Sequence, residues 1–65
     1  MEVNGIELKR LRESKPLSLR ELQELSGVHY NVIYRLENGL SGAHPKTVRK
    51  LARALGVEPS ALVRG

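Results

Sequence analysis

Apolar residues fall along the chain in short helical runs, each closed by a glycine or a proline, and no run alternates as a strand would. In the first run Leu8 and Leu11 share a stripe, with Asn4 and Glu7 spaced as an Asn capping box and Val3 and Leu8 as its hydrophobic staple. Lys15-Pro16 ends it, because the residue before a proline is pushed out of helical backbone space. The second start is the sharpest signal: Ser18 caps, Glu21 completes the box, and Leu17 with Leu22 makes the staple. Leu22 and Leu25 are then expected to face inward, and Gly27 to break the helix after about two turns.

A third helix restarts near His29, with Ile33 and Leu36 as core positions, and stops at Asn38-Gly39, a pair suited to the left-handed backbone that closes a helix. Leu40 to His44 read as a loop. Pro45 fits the first turn of a fourth helix, whose apolar face carries Val48, Leu51, Ala52 and Leu55 before Gly56 ends it. Pro59 opens a last short turn carrying Leu62. The pattern predicts an all-α fold: a compact four- to five-helix domain over residues 1–65. At its centre two short helices meet at Ser26-Gly27-Val28, a helix-turn-helix over about residues 18–38.

Sixty-five residues allow one domain with a thin core. There is no cysteine, hence no disulfide and no thiolate metal site, which suits a reducing cytoplasm. His29 and His44 are too few for a metal cluster, and neither metal nor cofactor is expected. The core must be aliphatic, since Phe and Trp are absent. The polar start Met1-Glu2-Val3-Asn4-Gly5 does not read as a signal peptide, and no apolar run approaches the roughly 20 residues of a membrane span. A cytoplasmic protein without membrane contact is the expectation.

Charge is unevenly placed. Residues 1–38 carry six basic and six acidic side chains, whereas residues 39–65 carry five basic ones against Glu58 alone, the whole net charge of +4. Such a balance points towards polyanions. Catalytic patterns fare badly: there is no Asp for a Ser/His/Asp set, and Lys46-Thr47 lacks the glycines of a phosphate-binding loop. No enzyme is expected.

An ordered series of motifs narrows the reading. It runs from Leu11-Arg12-Glu13 through Leu17-Ser18-Leu19-Arg20-Glu21-Leu22 and Ser26-Gly27-Val28. It continues through Ile33-Tyr34-Arg35-Leu36-Glu37-Asn38-Gly39 to Leu51-Ala52-Arg53-Ala54-Leu55-Gly56-Val57. The stretch Leu8–Val57 resembles the Cro and phage-repressor family of helix-turn-helix domains, the Xre type. The resemblance implies a phage-repressor-like fold in a prokaryotic or phage-encoded transcriptional regulator, a repressor first of all. It also implies sequence-specific binding of double-stranded DNA, with a recognition helix at about residues 29–38 in the major groove.

Carried over position by position, the groove-facing residues fall on His29, Tyr30, Asn31, Tyr34 and Arg35. Base contacts are expected from Tyr30, Asn31, Tyr34 and Arg35, and phosphate contacts from Ser18, His29, His44 and Lys46. The helical phase agrees, since these groove positions flank the inward Ile33 and Leu36. Asn can bridge adenine N6 and N7, and Arg guanine O6 and N7. Arg12 and Glu37 match a pair that forms an internal salt bridge in the family, against the plainer reading of two solvated charges. Arg49, Lys50 and Arg53, opposite the apolar face of the fourth helix, read as a soluble surface adding long-range attraction.

Two positions depart from the family. Gln23 stands where Ala usually allows close packing, so altered spacing of the two helices is expected. Leu19 stands where many members place a phosphate-contacting Gln, so that contact is expected to be lost. The partners expected are a palindromic operator and a second copy of the chain, since one recognition helix buries little surface. The terminal turn around Leu62 and Val63 is one candidate for self-association, and trimming from a longer chain is the other explanation for the missing dimerisation domain. The rival class is an antitoxin-like protein-interaction module that binds DNA secondarily, with exposed Leu19 or Leu40 as a partner surface.

Overall fold

The computed structural model describes residues 1–64. Four α-helices follow in order: α1 (Gly5–Ser14), α2 (Leu19–Ser26), α3 (Tyr30–Glu37) and α4 (Pro45–Leu55), then a 3₁₀ turn at Pro59–Leu62. No strand occurs among the described residues, but Val3 and Val63 form an isolated antiparallel bridge. It ties the start of the chain to its closing turn, helped by the Asn4 N–H donating to the Leu62 carbonyl (2.8 Å) and the Arg64 N–H to that of Glu2 (3.1 Å).

The helices meet over one aliphatic core. Leu8, Leu22, Ile33, Leu36, Val48, Leu51, Leu55 and Leu62 are fully buried, one or more from every element. Gly27 and Gly56 adopt the positive φ that closes α2 and α4, and Pro45 occupies the first turn of α4. At the end of α3, Asn38 is the C-cap with negative φ, and Gly39 supplies the left-handed residue.

Several expectations need correction. Leu25 is 61% exposed rather than inward. The stripe of α2 that meets the core runs through Leu19, Leu22, Gln23 and Ser26, the i, i+3, i+4, i+7 positions, and Leu25 falls off it. Leu19, expected exposed, is half-buried and packs on the core. The box on α1 is half formed: Asn4 Oδ1 accepts from the Glu7 N–H (3.2 Å), but the Glu7 carboxylate turns to Arg10 (2.6 Å). The Asn4 N–H is already taken by Leu62, so nothing draws Glu7 back. Leu62 is itself 1% exposed inside the chain's own core, and Val63 is half-buried beside it, so this turn is not a free self-association surface.

Candidate nucleic-acid interface

α3 has two faces of opposite character. Ile33 and Leu36 are fully buried, while Asn31, Val32, Tyr34 and Arg35 are exposed and Tyr30 is half-buried. Three of the four residues expected to touch bases thus lie on the solvent side, and Tyr30 lies at its margin. Val32, 40% exposed among them, was not singled out in the sequence, where an apolar residue beside Ile33 reads as core. The first turn of α3 holds no acidic residue, so nothing there repels a polyanion.

The mounting of this helix comes from outside it. At its start, Gln23 Oε1 on α2 accepts the Tyr30 N–H at 2.8 Å. An Ala at position 23 has no such acceptor, so the departure from the family pattern makes a link between the helices. His29, the N-cap, accepts the Asn31 N–H through Nδ1 at 3.1 Å and stacks on Tyr30 with ring centroids 4.6 Å apart. In the neutral ring that leaves Nε2–H as an outward donor. The Arg20 guanidinium also lies over the Tyr30 ring, 4.6 Å from its centroid.

The far end of α3 is held by charge and by close approach. Arg12 on α1, 8% exposed, donates through Nε and Nη2 to the two Glu37 carboxylate oxygens at 2.6 and 3.1 Å. Its Nη1 donates to the Leu17 carbonyl at 2.7 Å. The fork-to-fork geometry is the reason the internal pair, not two solvated charges, is what forms. The hydrogen bond to Glu37 holds the Arg12 guanidinium charged still more firmly than usual. Beside it, Gly5 brings the start of α1 against the last carbonyls of α3. A methyl group on Gly5 would collide with the Leu36 and Glu37 backbone oxygens, the latter at 2.6 Å.

The four residues expected to touch phosphate are all exposed. Ser18, His29 and His44 are the N-caps of α2, α3 and α4, and Lys46 follows in the first turn of α4. The Ser18 hydroxyl accepts the Glu21 N–H (3.1 Å) while the Glu21 carboxylate accepts the Ser18 N–H (2.8 Å), a complete box. That backbone donor holds the Glu21 carboxyl below its usual range. His44 makes no side-chain cap bond. Among the described residues no group of acidic, His or Cys side chains is arranged to hold a metal.

A two-turn helix, a left-handed glycine turn, and a second two-turn helix with a polar outer face define a helix-turn-helix DNA-binding domain. Comparison with known proteins agrees. The helix-turn-helix family model matches residues 8–62. The chain is 43% identical over 58 residues to the HTH-type transcriptional repressor RghR of Bacillus subtilis, covering 88% of this chain and 43% of that protein. It is 35% identical over 57 residues to an HTH-type transcriptional regulatory protein of Methanothermobacter thermautotrophicus, covering 88% of this chain and 18% of that one. Among solved structures, the restriction-modification controller protein C.AhdI from Aeromonas hydrophila superposes with a TM-score of 0.83 at 35% identity. That match covers 88% of this chain and 86% of the controller. The chain therefore belongs to the helix-turn-helix family, of the Xre and Cro type. It spans less than half the length of the two regulators it matches in sequence. No described helix is long and apolar enough to cross a membrane.

Proposed function

We propose that residues 1–65 act as one sequence-specific DNA-binding domain, with α3 lying in the major groove of an operator and repressing or otherwise regulating transcription from it. The observation that carries this reading is the split of α3 into a buried face (Ile33, Leu36) and an exposed face (Asn31, Tyr34, Arg35). Asn31 and Arg35 are one turn apart and so share that face. Each pairs with adjacent acceptors and donors of one purine, Asn31 with adenine and Arg35 with guanine. Tyr34 supplies a ring edge for a thymine methyl. Ser18, His29, His44 and Lys46 donate to phosphates on either side, which sets register without reading sequence. The basic face of α4 adds long-range attraction. The reading includes no catalytic step.

On DNA the domain works as a symmetric pair, each copy reading one half of a palindrome about one helical turn from the other. Selection of bound duplexes from a random pool tests the proposal. A two-fold-symmetric consensus is the expected result, and a pool with no enriched sequence contradicts it. The affinity of the selected duplex should also fall linearly in log K against log salt, at about −0.9 per phosphate contacted.

A second reading, a protein-interaction module, has one observation in its favour: the exposed Met1, Ile6 and Leu40 line a common groove beside the end of α3. It predicts that polar substitutions there abolish function while leaving duplex binding intact.

A further inference from the structure

We propose that Arg20 is a phosphate ligand of this domain, held in place by stacking on Tyr30, and that Tyr30 serves as its platform and not as a reader of bases. The inference rests on the DNA-binding reading above. The side-chain contact that many family members make from position 19 is missing: Leu19 is half-buried against the core and its side chain has no polar atom to offer. Its neighbour Arg20 is exposed and forms no ion pair among the described residues. Its guanidinium lies 4.6 Å from the centroid of the Tyr30 ring, so the side chain bridges the first turn of α2 and the first residue of α3. Those are the two places where a helix-turn-helix meets the sugar-phosphate backbone and the groove edge.

A stacked guanidinium keeps its N–H edges free. With the cation over the ring, the donors that point away from it remain available, and the planar five-donor fork of Arg can take two oxygens of one phosphate. Stacking also removes much of the rotational freedom that a free Arg loses on binding. The platform is itself fixed from two sides, by Gln23 on its backbone N–H (2.8 Å) and by the His29 ring stacked at 4.6 Å. A half-buried ring engaged in this way is poorly placed to turn into the groove, which separates Tyr30 from Asn31, Tyr34 and Arg35.

The test measures binding of the whole chain and its variants to the selected duplex and to a scrambled one across a salt series. Arg20→Ala should weaken both duplexes alike, by about tenfold at low salt. It should also make the salt slope shallower by about one unit. Tyr30→Phe keeps the ring and should bind as the parent does, whereas Tyr30→Leu should lose about threefold on both duplexes. Combined with Arg20→Ala, Tyr30→Leu should cost almost nothing further, since coupled residues are not additive. Melting temperatures of the variants confirm folding. An unchanged slope in Arg20→Ala overturns the assignment, as does an equal change in Arg49→Ala, which would show a general charge effect. Tyr30→Phe losing affinity on the selected duplex alone would make Tyr30 a base reader and overturn the platform. If the parent bound neither duplex, the DNA-binding reading itself would fail; loss of the Arg20 effect alone leaves that reading standing.

Discussion

α2 and α3 are both eight residues long and sit on either side of one turn, yet they are stabilised in different ways. α2 carries its own fastenings: Ser18 and Glu21 satisfy each other's backbone donors at its start, and Gly27 closes its end. α3 has its own cap at His29 and a closing Gly39, and both of its ends are also fastened from outside. Gln23 reaches across from α2 to its first N–H, Arg12 reaches from α1 to its last residue, and Gly5 packs against its final carbonyls. The proposed function gives the difference a reason: with most outward positions of α3 left for DNA, much of its restraint comes from other helices, and a helix held at both ends would meet the groove as a preset unit.

The contrast can be broken most severely at the end of α3. Glu37→Ala leaves the Arg12 guanidinium buried without its counter-ion, an effect of about 3–5 kcal/mol in such pairs. Chemical denaturation should show a large part of the stability gone, since small domains have only about 5–15 kcal/mol. Leu36→Ala removes a fully buried side chain and should cost about 2–5 kcal/mol. An unchanged melting temperature there would mean that the helical phase of α3 is misassigned. Gly5→Ala should cost about 1–3 kcal/mol, because the clash is with backbone oxygens that cannot rotate away.

At α2 the effects are smaller and local. Ser18→Ala should cost about 1 kcal/mol and raise amide exchange in the first turn of α2 while leaving α3 protected. The same cap is sensitive to acid. Its carboxyl titrates lower in the folded chain than in the unfolded one, so the stability it adds is present above the ordinary Glu value. That stability is lost as pH falls through the lowered one, and Glu21→Gln should remove this part of the acid dependence. Smallest of all, Gln23→Ala should speed exchange of the Tyr30 amide with little change in melting temperature, and Gln23→Glu, which keeps the acceptor, should restore protection.

How much of this was legible follows the same division. Local chemistry could be read directly: the Ser18–Glu21 box, the glycines after α2 and α4, Pro45 in the first turn of α4, and Ile33 and Leu36 as the inner face of α3. Contacts that join distant residues were not legible from spacing alone. The Arg12–Glu37 pair came from family resemblance, and the Gln23 link and the Arg20–Tyr30 stack depend on how two helices cross. Leu25 and Leu19 were misplaced because period alone does not say which of two nearby leucines meets the neighbouring helix. The roles of Asn31 and Arg35 are legible as chemistry and position, since both are exposed and share a face; which bases they meet depends on the operator.

The most direct test of α3 as the sequence reader compares Asn31→Ala, Arg35→Ala and Lys46→Ala on the selected and scrambled duplexes at matched salt. Asn31→Ala and Arg35→Ala should each lose about 1–3 kcal/mol on the selected site and relax the preference at one or two base pairs, with little change on the scrambled one. Lys46→Ala should weaken both about equally and make the salt slope shallower by about one unit. Equal losses on both duplexes for Asn31→Ala and Arg35→Ala would contradict base reading by α3 and move the interaction-module reading ahead.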